Sequence, residues 1–198
     1  LPISTIVDDG DGQIFKPDGT VDANAVLDDD RPLVVGNLTV NEASEFAVFT
    51  VQGKEGQLVQ LAMPSTGTAT LGVDTGLALQ YWNGTAWADY VPGSRIAIPS
   101  DGDATASESA NLLVRLAIVN DASPDNGETA LLQARGTGGT PSTGTATITD
   151  DGTGTLFATT SASAGVTAAT ASTPASANTL TPVNFATTAV APSGSTLL

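Results

Sequence analysis

The chain of 198 residues contains no cysteine and no histidine. The first absence removes disulfides and thiolate metal sites. The second removes the usual general base and the commonest transition-metal ligand. Basic residues are scarce too: 6 Lys and Arg stand against 21 Asp and Glu, a net charge of −15. So acidic a chain is repelled by nucleic acid and by anionic lipid surfaces. No apolar run approaches the roughly 20 residues that a membrane-crossing helix needs, so no transmembrane segment is expected. Leu1 is not an initiator methionine and no signal peptide is visible, so the chain reads as processed or excised.

Without His or Cys the common catalytic triads cannot be built. Two carboxylates can hydrolyse a glycoside, but Asp89, Asp101, Asp103 and Glu108 are candidates by residue type alone, with no spacing that singles them out. The only lysines are Lys16 and Lys54, and neither follows a phosphate-cradling glycine loop. A protein without enzymatic activity is expected.

What the chain does have is an internal echo. Thr5-Ile6-Val7-Asp8-Asp9-Gly10-Asp11-Gly12-Gln13-Ile14-Phe15 returns 142 residues later as Thr147-Ile148-Thr149-Asp150-Asp151-Gly152-Thr153-Gly154-Thr155-Leu156-Phe157, with 7 of 11 positions identical. Such self-similarity marks a module in a series. Both copies read as a closing strand followed by an acidic, Gly-rich turn. The length allows about one domain, so the first copy has no domain of its own here. Either it comes from a preceding repeat, or residues 4–9 complete the sheet of a neighbouring molecule. Thr5, Ile6, Val7, Ile14 and Phe15 are therefore the candidate assembly residues.

Four parts follow from the pattern. Residues 1–15 form the orphan strand and turn. Residues 16–32 form an acidic connector, with a like-charge run at Asp28-Asp29-Asp30. Residues 33–157 read as short strands between Gly, Pro, Asn and Asp turn signals, which predicts an all-β sandwich. The expected strands are 33–40, 46–52, 57–62, 77–82, 85–91, 95–98, 112–119, 129–134 and 144–149. Within 112–119, Leu112, Val114, Leu116 and Ile118 share one face and Arg115 takes the other. Residues 158–198 carry no charge and are mostly Ala, Thr and Ser, an extended tail expected to pack along the module or a neighbour.

Asn83-Gly84 predicts a two-residue type I′ hairpin. That register sets Trp82 opposite Thr85 and Gln80 opposite Trp87, with both tryptophans on one face. These aromatics either fill and decorate the sheet or grip a peptide or glycan from an exposed pair.

Acidic residues also gather beside strand ends. Glu42 follows Val40-Asn41, and Asp74 ends Ala69-Thr70-Leu71-Gly72-Val73-Asp74. Asp121, Asp125 and Glu128 lie within one loop, and Asp150-Asp151 follow Thr147-Ile148-Thr149. Calcium takes six to eight oxygens in flexible geometry, which loops at one end of a sandwich can supply. Asp8, Asp9 and Asp11, or Asp28, Asp29 and Asp30, are candidates for a second site between modules.

This pattern, over about 33–157, resembles the Calx-β module of sodium–calcium exchangers and of large bacterial surface adhesins. Glu42 matches its early Glu and Asp74 its Ala-x-x-Gly-x-Asp element. Asp121, Asp125 and Glu128 match three positions of its acidic loop, and Asp150 and Asp151 its Thr-Ile-x-Asp-Asp-Asp strand end. Asn120 and Gly152 stand where that family has acids, and no aromatic follows Asp74, which implies fewer or weaker ions. The resemblance implies an Ig-like antiparallel β-sandwich, calcium as cofactor, and copies of itself or adjacent repeats as partners. The expected function is a structural subunit or repeat of an extracellular bacterial adhesin or surface filament. The alternative is a terminal calcium-dependent domain that binds a host or surface peptide or glycan through Trp82 and Trp87.

Overall fold

Gly36-Asn37 interrupts the first apolar stretch, and this break decides how the chain enters the sandwich. The computed structural model describes residues 5–100 and 109–157. Where one strand is expected over 33–40 there are two, β1 (Val34–Val35) and β2 (Leu38–Asn41). The remaining strands are β3 (Phe46–Lys54), β4 (Leu58–Ala62), β5 (Thr75–Trp82), β6 (Trp87–Asp89), β7 (Ile96–Ala97), β8 (Ser109–Ile118), β9 (Glu128–Arg135) and β10 (Ser142–Thr149). No helix occurs among the described residues.

The strands form two five-stranded sheets, β1-β3-β8-β5-β6 and β2-β10-β9-β4-β7. This is an all-β, Ig-like sandwich. All pairings are antiparallel except β2 with β10, which run parallel. The exception follows from the break: β1 pairs with β3 in one sheet, and two residues later the chain crosses to β10 in the other. Asn37 secures the crossing by accepting the Thr145 N–H at 2.8 Å. Gly144 makes room for it, since a Cβ there would lie 2.6 Å from both the Gly36 carbonyl oxygen and Val35 Cγ1.

Alternation along β8 builds the core as its period demands. Leu112, Val114, Leu116 and Ile118 join Ala47, Phe49, Val51, Val59, Leu132 and Ile148 between the sheets. Tyr90 closes one side: its hydroxyl accepts the Leu61 N–H at 2.9 Å and donates to the Ser94 carbonyl at 2.8 Å. A buried phenol thus keeps both halves of its hydrogen-bonding capacity satisfied while linking the two sheets.

In the hairpin each β5 residue pairs two positions further along than the sequence expectation, a shift that preserves which residues share a face. Trp82 stands opposite Trp87 and Gln80 opposite Asp89, so the turn centres on Gly84-Thr85. Gly84 takes the positive φ of 96°. Asn83 stays outside the turn's centre because its Oδ1 accepts the N–H groups of Thr85 and Ala86, at 3.0 and 2.9 Å. Asn here caps the turn from its side chain, a role Asn fills as readily as a positive φ. The two tryptophans still share a face.

The orphan segment belongs to neither sheet. Asp9 bridges antiparallel to Asp29 of the same chain, and Phe15 bridges to Val21 in a small hairpin. The run Asp28-Asp29-Asp30 escapes mutual repulsion by alternation: Asp29 turns inward to an ion pair with Arg31 at 2.6 Å. Buried Gln57 ties this stretch to the sandwich by donating to the Arg31 carbonyl at 2.7 Å. Residues 28–32 are therefore packed against the sandwich that begins at residue 33. The tail at 158–198, and Asp101, Asp103 and Glu108, lie outside the described residues.

Gly144→Val should destabilise the protein by about 1–3 kcal/mol, the usual cost of overpacking. Urea denaturation checks this. Equal midpoints for variant and wild type would contradict the tight sheet crossing.

Candidate metal centre

Strand directions bring the acids together. β2 runs parallel to β10, so Glu42 and Asp150, each one residue past its strand, emerge at the same end. β9 runs antiparallel to β10 and begins there, which places Glu128 opposite Ile148. In the facing sheet, Thr75 pairs with Ile118, so Asp74 and the loop holding Asp121 and Asp125 share that end.

Five of the seven expected ligands converge in two overlapping groups. Glu42, Asp121 and Asp125 form one; Asp74, Asp125 and Glu128 form the other. Within each group the chosen carboxylate oxygens lie within 4.8 Å of one another. Oxygens bound to a common calcium, each at about 2.4 Å, can be no farther apart than about twice that length. Asp125 is common to both groups.

Asp150 and Asp151 stand apart from these groups. Asp150 acts on Glu42 through its charge, and its N–H donates to Asn126 Oδ1 at 3.0 Å. Asp151 caps its own turn: Thr153 donates to it through both its N–H, at 3.0 Å, and its hydroxyl, at 2.5 Å. Those bonds, the hydroxyl's first, hold its pKa below the ordinary value. Asn126, absent from the expected set, orients the site's rim by donating to Asp151 Oδ2 at 3.2 Å. Asn opposite an Asp-Asp strand end, in a loop already rich in acids, was the available signal.

Glu42 is the most confined member, only 7% exposed. Its Oε1 accepts the Asp121 N–H at 2.9 Å. Its Oε2 is buried with no hydrogen-bond partner. The Asp121 N–H lowers the pKa of Glu42, but burial and the charges of Asp150, Asp121 and Asp125 outweigh it and leave the pKa raised. Glu128 is pushed from 4.5 to about 7, first by burial and then by the charges of Asp74 and Asp125. An orphaned carboxylate oxygen costs free energy, which a proton or a cation can offset. Hard oxygen donors with no nitrogen or sulfur select calcium or magnesium over transition metals.

The other candidates sit elsewhere. Thr5, Ile6, Val7, Ile14 and Phe15 are all exposed. Trp82 and Trp87 are half-buried and meet edge to face, with centroids 5.7 Å apart. Arg115 lies across the same face, its guanidinium carbon 3.9 Å from the Phe46 ring centroid and 4.5 Å from that of Trp87. Its Nε donates to Gln80 Oε1 at 2.8 Å. Trp87 thus serves the outer face of the first sheet through a cation–π stack. Parity in β8 placed Arg115 on the outer face, and parity in the hairpin put the two tryptophans on one face without deciding which; the meeting of Arg115 and Trp87 across β5 was not legible.

No family model matches the chain, and no curated protein sequence matches it. Among solved structures, the crystal structure of the E. coli chaperone DraB is similar over 61% of this chain, at 14% identity and a TM-score of 0.36. This chain spans 56% of DraB's length. A second similar structure is AvmM, described as catalysing macrocyclization in alchivemycin A biosynthesis. It matches over 72% of this chain and 98% of its own, at 11% identity and a TM-score of 0.37. At such scores neither protein's activity carries over.

Two outcomes are expected. Glu128 has a folded pKa above its unfolded value, so the metal-free fold is favoured by its proton below pH 4.5 and loses that contribution as the pH rises through about 7. Without divalent cations, the melting temperature of Glu128→Gln should therefore fall less over this interval than that of wild type. Identical pH profiles would contradict a shared acidic site. Separately, Trp87→Ala should cost about 1–3 kcal/mol in urea denaturation, through lost burial and lost stacking; a loss below about 0.5 kcal/mol, the range of isolated surface substitutions, would contradict the structural role.

Proposed function

We propose that this chain is a non-catalytic structural module of an extracellular bacterial adhesin or surface filament, stiffened by calcium at its acidic end. The observation that carries the reading is the buried, partnerless Oε2 of Glu42 amid carboxylates drawn from three separate segments. Such an arrangement is unfavourable without a cation and becomes favourable with one. Asp125, placed between the two groups, suits a pair of ions rather than one. In the proposed extracellular setting, calcium affinities of about 10⁻⁴–10⁻³ M would suffice. The abundance of Thr, Ala, Gly and Ser and the scarcity of Lys are in keeping with a surface protein.

The outward stack of Trp87, Arg115 and Phe46 favours the structural reading over a peptide- or glycan-gripping pair, since Trp87 is already engaged. Calcium here orders loops instead of activating water. The acidic groups hold the strand ends together by bridging β2, β5 and the β8–β9 loop.

Calcium at a hundred times its dissociation constant should stabilise the chain by about 2.7 kcal/mol per independent site. Thermal melting in calcium and in EDTA measures this. Glu42→Gln should abolish most of the calcium-dependent rise while leaving the EDTA curve unchanged or raised. No calcium-dependent shift in the wild type would contradict the proposal. Negative-stain electron microscopy in both conditions then shows whether the chain alone forms filaments.

A further inference from the structure

The two copies of the repeated segment hold the same backbone turn. Gly10 and Gly12 have φ of 81° and 100°; Gly152 and Gly154 have 80° and 90°. Asp9 Oδ1 accepts the Asp11 N–H as Asp151 Oδ1 accepts that of Thr153, at 3.2 and 3.0 Å. The sequence similarity is thus matched by a similar backbone turn, although the two copies have different surroundings.

The copies use opposite sides of that turn. The second copy is fixed to its own module: Thr155 N–H donates to Thr39 and Asn41 N–H to Thr155, at 3.1 and 3.0 Å. Thr149 and Asn41 side chains both donate to the Thr153 carbonyl. The first copy instead uses Asp8 and Gly10. Gly10 N–H donates to the Asp28 carbonyl at 2.8 Å, and Asp30 N–H donates to the Asp8 carbonyl at 2.9 Å. These bonds seat it at the far end of the sandwich, beside Arg31, whose charge is favoured first by Asp29 and then by Asp9 and Asp11.

The unused side of each copy is open. The matching groups of the second copy, the Asp150 carbonyl and Gly152 N–H, have no backbone partner among the described residues. In the first copy the matching apolar residues lack cover. Ile6 is 91% exposed whereas its counterpart Ile148 is 4% exposed. Phe15 is 59% exposed, whereas Phe157 packs against the core.

We propose that the turn is a two-sided connector: it closes one module with Thr153 and Thr155 and docks on the Asp28–Arg31 end of the next with Asp150 and Gly152. The partner is a second module of this kind. Modules then stack head to tail, and the acidic end of each meets the Arg31 end of its successor. Residues 5–15 show the docked half of this joint, and residues 147–157 show the anchored half. The inference rests on the structural-module reading and adds its partner surface.

The test duplicates residues 16–157 directly after Phe157, so that 147–157 of the first module take the place of 5–15 before the second. Because the chain has no cysteine, Ser65→Cys in each module places two spin labels without background. Double electron–electron resonance in calcium should give one narrow distance distribution. Asp30→Pro in the second module removes the N–H that would meet the Asp150 carbonyl, and should broaden the distribution. The single-module Asp30→Pro variant, melted alone, establishes that the module stays folded; if it does not, Asp28→Gly-Asp28 insertion in the second module shifts the register instead and should broaden the distribution likewise. A broad distribution in the duplicated chain, or a narrow one that neither change affects, overturns the proposal. Calcium-dependent melting of the single module, read alongside, separates the failures: calcium stabilisation with a broad distribution removes the joint and keeps the calcium reading.

Discussion

Strand β10 is hydrogen-bonded on both flanks, parallel to β2 and antiparallel to β9, and this double pairing fixes the acidic end of the molecule. It brings the end of β2, the start of β9 and the turn after β10 to one place. A single-residue slip of β2 would turn Val40 outward and move Glu42 away from Asp121. The crossing at Gly36-Asn37, with Gly144 beneath it, is what admits β2 to that position. Packing in the middle of the sandwich and chemistry at its end are therefore consequences of the same register.

Electrostatics runs against the fold at this end. Carboxylates at such separations repel, and burial makes the repulsion stronger than water would allow. The protein contains part of this cost locally, through the N–H of Asp121 on Glu42 and the proton favoured on Glu128. On the proposed reading, a divalent cation would remove the rest, and stability would then depend on calcium without any moving part. The far end is settled differently, by the Asp29–Arg31 pair and Gln57.

Alternation and turn residues made the sandwich legible from the sequence. The inward face of β8 follows from its period alone. The break at Gly36-Asn37 and the hairpin register did not follow, for related reasons. Asn37 and Asn83 act through side-chain oxygens that accept backbone N–H groups, and composition cannot distinguish that from a turn centred on the Asn. Which acids converge was partly legible: strand-end placement found Glu42, Asp74, Asp121, Asp125 and Glu128. It could not separate Asp151, whose Oδ1 is taken by Thr153 and whose Oδ2 by Asn126, because local capping and metal ligation use the same residue type. The repeat was plain in the sequence, but its two-sidedness lies in hydrogen bonds that only coordinates reveal.

A crystal structure of the chain grown in calcium, with anomalous scattering used to locate the ions, tests the central claim most directly. The account predicts anomalous peaks at the acidic end, one beside Glu42 and Asp121 and one beside Asp74 and Glu128, with Asp125 contacting both. Clear density for these carboxylates with no peak within bonding distance of any of them, at calcium levels of several millimolar, would contradict it.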